Sequence, residues 1–231
     1  MKKFITLFLF VTFILIIILS NINVTTRQGI NYKWQTIKIP LYLKILDFFD
    51  RHYNYKYLVK KIIEEEKTDE GRVMKIFKWT YNNIRKAPEG FPIVDDHVWY
   101  IIVRGYGVED QSSDVFSTLC NYAGLDAFYS CVHSKDDVQC VPLSFVRIKG
   151  RWFVFDPYHG IYFKDREGRL ADVGIFKSGG NWTMETLGER SNIDYTSYLS
   201  FFPTIEKVGL NRSNVQSPLR RFIFEIKKWL K

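Results

Sequence analysis

Sulfur is scarce in this chain. Its 231 residues include three cysteines and three methionines. Cys120, Cys131 and Cys140 have none of the C-x-x-C spacing that zinc sites and dithiol redox motifs need. So few cysteines also exclude a disulfide-rich scaffold, and neither a metal nor another cofactor is expected. Histidine is almost as rare, with four residues in all. No long stretch is dominated by one sign of charge. The 33 basic and 25 acidic residues leave a net charge of +8, but they are interspersed, as where Lys60-Lys61 precedes Glu64-Glu65-Glu66. No recognised nucleic-acid module accompanies the charge, so nucleic acid is not an expected partner.

Apolar and aromatic side chains are plentiful, at 46% and 17% of the chain, enough for one well-packed domain. The longest apolar run comes first. After Lys2-Lys3, residues Phe4 to Leu19 read FITLFLFVTFILIIIL without a charge. As a helix this run reaches roughly 25 Å, the short end of what crosses a bilayer. It is longer than a usual signal-peptide core, and Ser20-Asn21-Ile22-Asn23 lacks the small-residue spacing of a cleavage site. An uncleaved signal-anchor over residues 1–24 is therefore expected, with membrane lipid as its partner. Arg27, Lys33 and Lys38 weaken the positive-inside bias, but a lone apolar segment after two lysines favours a single-pass protein with its domain exported.

Residues 25–67 read as a helical linker region, with one or two helices between Pro40 and Ile63. From Thr68 the pattern sharpens. Thr68-Asp69-Glu70 opens a helix on which Val73, Ile76, Phe77, Thr80 and Ile84 recur at helical spacing. The run Ala87 to Pro92 breaks it. Gly105-Tyr106-Gly107 then leads into a second helix carrying Val115, Phe116, Leu119 and Ala123, stopped by Gly124. Strand-like runs follow at Leu125 to Val132, Val141 to Ile148 and Trp152 to Phe155. Helices followed by an antiparallel sheet imply an α+β fold over 68–203. The polar stretch from Phe163 to Pro203 reads as surface loops.

Two segments resemble the transglutaminase-like branch of the papain-like fold. Arg104-Gly105-Tyr106-Gly107-Val108 is similar to the loop that delivers a cysteine to a helix N-terminus, with Ser113 four places beyond that position. Val146 to Pro157, VRIKGRWFVFDP, is similar to the strand, turn, strand and terminal aspartate-proline. The resemblance covers roughly Thr68 to Phe163 and implies a core of helices packed on an antiparallel sheet. It implies a cysteine nucleophile, a histidine and an aspartate in acyl transfer, in which the helix N-terminus favours the thiolate and the aspartate orients the imidazole.

By this register the cysteine position is Glu109, the histidine position is Val141, and the retained acid is Asp156. Of His52, His97, His133 and His159, His133 on the expected hairpin tip is the one that would reach inward. Without thiolate or imidazole the Cys-His mechanism lacks both nucleophile and base. Glu109 suits a helix N-terminus structurally. Alternatively, Glu109 and Asp156 form a carboxylate pair, with Gln111, Ser112 or Ser113 nearby. Cys120 reads as a small core residue, and Cys131 and Cys140 can pair across the hairpin tip in an exported domain.

At the C-terminus, Leu219, Phe222, Ile223, Ile226 and Leu230 lie opposite Arg220, Arg221, Lys227, Lys228 and Lys231. This makes a basic amphipathic helix within 204–231, docked on its own domain or lying on anionic lipid. The expected function is a membrane-anchored transglutaminase-like pseudoenzyme that binds a peptide, glycan or protein in the cell envelope. The rival expectation is a hydrolase or acyltransferase working through Glu109 and Asp156.

Overall fold

The computed structural model describes residues 2–95, 97–134, 140–188 and 192–199, and the single positions 217, 223, 226 and 227. In chain order the elements are α1 (Lys2–Asn21), β1 (Asn23–Ile30), β2 (Lys33–Pro40), α2 (Leu41–Ile63), α3 (Asp69–Asn83), β3 (Arg85–Lys86), β4 (Val94–Asp95), α4 (Val98–Arg104), β5 (Tyr106–Gly107), α5 (Glu109–Tyr122), β6 (Ala127–His133), β7 (Cys140–Ile148), β8 (Arg151–Asp156), β9 (Ile161–Asp165), α6 (Val173–Lys177), β10 (Trp182–Thr186) and α7 (Thr196–Leu199). The fold is α+β, with one apolar N-terminal helix long enough to cross a membrane or to act as a signal sequence. The C-terminal amphipathic helix falls outside the described residues, apart from isolated positions.

A five-stranded antiparallel sheet ordered β10-β9-β8-β7-β6 is the backbone of the domain. Its strands alternate sides, and two separate cores form on its faces. On one face Val146, Ile148, Phe153 and Phe155 pack with Tyr55 of α2, Phe77 of α3, and Phe116 and Leu119 of α5. Phe77 meets Phe116 edge-on at 5.8 Å and Phe155 at 5.3 Å. Burying each such side chain contributes about 1.5–3 kcal/mol. On the other face Val132, Val141, Leu143, Phe145, Val154, Ile161 and Phe163 pack under Phe176, Tyr195 and Leu199.

Helix α3 forms where its signals lie. The Thr68 hydroxyl accepts the Gly71 N–H at 3.1 Å, and Val73, Ile76, Phe77 and Thr80 are buried. Helix α5 is the central element, lying between α2, α3 and α4 on one side and β6 and β7 on the other. Even its polar Ser112, Ser113, Ser117 and Thr118 are buried.

The structure differs from the sequence reading in three places. Residues 23–40 are an antiparallel hairpin, with Asn23 opposite Pro40 and Ile30 opposite Lys33, so the helical linker is a single helix preceded by two strands. Its two-residue turn places both Asn31 and Tyr32 at positive φ, 48° and 64°, the geometry that matches the twist of paired strands. The short helix α4 was not anticipated. The stretch read as loops contains the end of β9 and all of α6, β10 and α7; Trp182 of β10 packs on Phe163 at 5.4 Å and caps the second core. Cys131 and Cys140 form a disulfide with Cα atoms 5.3 Å apart, and Cys120 is a buried thiol.

Candidate functional site

The N-terminus of α5 is fixed by a short parallel pairing. As the chain leaves α3, β3 pairs with β5 through Arg85–Tyr106 and Lys86–Gly107, and Ala87 N–H donates to Gly107 O at 3.0 Å. Gly105 ends α4 in the left-handed region at φ 73°. Gly107 lies so close to the helix that a Cβ there would sit 3.0 Å from Gln111 Oε1 and 3.3 Å from Ile101 Cγ2. Buried Gln111 then accepts the Val108 N–H at 3.3 Å and donates to Val94 O at 2.7 Å. This satisfies a free amide at the helix start. Glu109, the first residue of α5, is thereby held half-buried.

The carboxyl of Glu109 is pushed above the usual glutamate range. Burial is the first cause; Asp156 and Asp110 add to it, while His159 and Lys86 oppose it. The two carboxylates singled out in the sequence therefore share one electrostatic environment, and an imidazole shares it with them.

Asp156 ends β8 and is 1% exposed. Its Oδ1 accepts the backbone N–H groups of Tyr158 at 3.1 Å and His159 at 3.0 Å. Its Oδ2 accepts the Tyr195 hydroxyl at 2.7 Å and lies 2.9 Å from His159 Nδ1. The segment Pro157 to Gly160 folds back into β9, which pairs Ile161 with Asp156 itself. Gly160 sits at φ 68°, where a Cβ would lie 2.7 Å from the Tyr81 ring, so this turn takes glycine. The tautomer that donates Nδ1–H to Asp156 leaves Nε2 of His159 as an acceptor. Tyr158 completes the cluster: burial, then Glu109 and Asp156, push its phenol up, and Lys86 Nζ stands 5.3 Å from its ring centroid.

No family model matches the chain, and no curated protein matches it by sequence. Among solved structures it is similar to a proposed protease from Parabacteroides distasonis ATCC 8503, at 13% identity and TM-score 0.38 over 54% of this chain and 28% of that one. It is similar to a proposed cysteine protease from Cytophaga hutchinsonii, at 17% identity and TM-score 0.39 over 64% of this chain and 56% of that one. It is also similar to a TGase, at 13% identity and TM-score 0.37 over 58% of this chain and 43% of that one. In each case this chain spans less than two thirds of the matched protein.

The remaining sequence candidates have other places. Val141 is 6% exposed and packs in the second core, paired with Val132. His133 is exposed at the end of β6, opposite Cys140, and does not take the inward role expected of it. A side chain at this end of the strand points to solvent, and the imidazole that meets Asp156 is that of His159. Ser113 donates to Pro142 O at 3.1 Å and its carbonyl accepts from Ser144 at 3.3 Å, which ties α5 to β7. Ser112 is fully buried and its hydroxyl has no hydrogen-bond partner among the described residues. Cys120 lies in the core, where burial raises its thiol well above its ordinary value. Among the described residues, no group of three or more His, Cys, Asp or Glu side chains is gathered to hold a metal ion.

His159, Tyr158 and Tyr195 are the members that sequence reasoning missed. One signal was available. Asp156-Pro157-Tyr158-His159-Gly160 is a turn in which the fourth residue folds back on the aspartate, so an Asp-x-x-His pair there is a contact pair.

Proposed function

We propose that this chain is a membrane-tethered transglutaminase-like domain that does not perform thiol acyl transfer and uses its cleft to bind a peptide, glycan or protein outside the cytoplasm. The observation that carries this reading is Glu109: a half-buried carboxyl stands at the helix start, facing the Asp156–His159 pair, where the family's chemistry needs a thiolate. The cysteine sulfurs lie elsewhere, one in the core and two in a disulfide. The disulfide supports an oxidising compartment, and α1 with its preceding lysines supports the tether.

Asp156 has its lone pairs committed to four donors, which suits a clamp on the turn better than a base in turnover. The ligand face is then formed by Glu109, the Nε2 edge of His159 and the ring of Tyr158. A second reading is favoured by the same imidazole. A carboxyl whose proton affinity burial raises, beside a histidine that contacts an aspartate, is an acid–base arrangement that a hydrolase uses.

The test is turnover of amide, ester and acyl-acceptor substrates by the full-length protein in detergent, beside Glu109→Ala and His159→Ala. The binding reading expects no turnover in any of the three. Activity in the parent that disappears in both variants would replace it with the hydrolase reading.

A further inference from the structure

The first half of α2 has its polarity reversed. Its polar side chains turn toward the protein: Lys44 Nζ donates to Thr25 O at 2.9 Å, and Asp47 accepts the Tyr100 hydroxyl at 2.7 Å and pairs with buried Arg51. Its apolar side chains turn outward. Tyr42, Leu43, Ile45, Leu46 and Phe49 are exposed, Leu46 to 60%. A helix in water places these sets the other way round, so the medium on this side of α2 is better matched by hydrocarbon than by water.

The position of the segment names that medium. The carbonyl of Ile22, the residue just past α1, accepts the Leu41 N–H at 2.7 Å, so α2 starts where α1 ends. Ile22 is itself exposed and joins the two apolar surfaces. Along the outward face of α2 the character then changes in order. Asp50 closes the apolar stretch, and beyond it the exposed positions are Tyr53, Lys56, Tyr57, Lys60 and Lys61. Tyrosine and lysine are the residues that sit at the headgroup level, with apolar bodies and polar tips. Residues 42–49 cover about 10 Å of helix, the scale of an interfacial insertion.

We propose that residues 41–49 form a foot embedded in the outer lipid of the same bilayer that α1 crosses. The proposal rests on reading α1 as a membrane span. The experiment is spin-label accessibility in nanodiscs of mixed phosphatidylcholine and phosphatidylglycerol, with full-length L46C and F49C, F10C in α1, and E70C on the exposed side of α3. The native cysteines are buried or paired, so the label goes to the introduced thiol.

The expected result is that L46C and F49C match F10C, accessible to oxygen and shielded from a water-soluble nickel chelate, while E70C is the reverse. Nickel accessibility at L46C and F49C equal to that at E70C, with F10C still shielded, overturns the foot and leaves the anchor standing. Nickel accessibility at F10C overturns the anchor itself. Shielding of L46C and F49C from both reagents, with dipolar broadening between labels, assigns the face to a second copy of the chain and also overturns the lipid foot.

Discussion

Replacing Asp156 tests whether the buried carboxylate is the clamp of the site. Asp156→Ala removes the acceptor for two backbone N–H groups, the Tyr195 hydroxyl and the His159 ring. A buried donor left unsatisfied costs about 1–3 kcal/mol, and Tyr195, 2% exposed, is the one least able to find water. The turn amides of Tyr158 and His159 are only partly buried and recover some of their loss. Together the variant should lose about 3–5 kcal/mol, or roughly 8–15 °C in Tm for a chain of this size.

Asp156→Asn separates geometry from charge. Its carbonyl oxygen still accepts the two amides, and its NH2 faces a phenol oxygen and a ring nitrogen that can both accept. What goes is the charge-assisted part, about 1–1.5 kcal/mol. Thermal melts of the full-length proteins in one detergent, followed by near-UV circular dichroism, give both numbers. If Asp156→Ala melts within about 2 °C of the parent, or Asp156→Asn is as unstable as Asp156→Ala, the four-donor account is wrong.

Other outcomes follow from the same geometry. Glu109→Cys should react with iodoacetamide at pH 6.5 several times more slowly than the exposed Glu89→Cys, because the burial and the carboxylates of Asp156 and Asp110 that raise the Glu109 carboxyl also disfavour a thiolate there and outweigh His159 and Lys86; a faster rate at position 109 would show that the helix start and His159 prevail instead. Glu109→Gln should gain stability over the parent as pH rises past the ordinary glutamate range and converge with it below that range. The folded state binds the Glu109 proton more tightly than the unfolded state, so the parent loses stability as pH rises through the Glu109 titration, and a gap that widens on acidification would contradict this sign. Unfolded, unreduced protein should show one thiol by titration, from Cys120, and three after reduction. Opening the disulfide, which closes a separation of nine residues, should cost about 2–3 kcal/mol in denaturant unfolding. Phe77→Ala should cost about 3–5 kcal/mol in the same assay, since its ring is fully buried against Phe116 and Phe155.

What could be read in advance was local. Helix α3 announces itself through Thr68 and its apolar spacing, and β7 and β8 through a Lys149-Gly150 turn between β-rich runs; the structure places Lys149 at φ 49° and Gly150 at φ 82°. The hairpin at 23–40 escaped because its turn is Asn31-Tyr32, with no glycine to mark two consecutive positive φ values. Glu109 and Asp156 were placed by register, and the structure brings them into one environment. His159 escaped because the expected position, Val141, lies on β7, whereas the imidazole that meets Asp156 lies in the turn after β8. A contact three residues long, bent back on itself, leaves no periodic signal.

The hairpin also governs how the Glu109–Asp156 site is presented. No slack segment separates α1 from the domain: Asn23 is already paired with Pro40, and Ile30 pairs with Val94, whose carbonyl accepts from Gln111 and Arg104 beside the start of α5. Eight extended residues cover roughly 25 Å. For a chain anchored by α1, the molecule is therefore a bracket and not a ball on a string. Its reach is capped near that length, so the Glu109–Asp156 site would stand within a thin shell above the bilayer, and lengthening the hairpin by whole pairs would move that shell outward step by step.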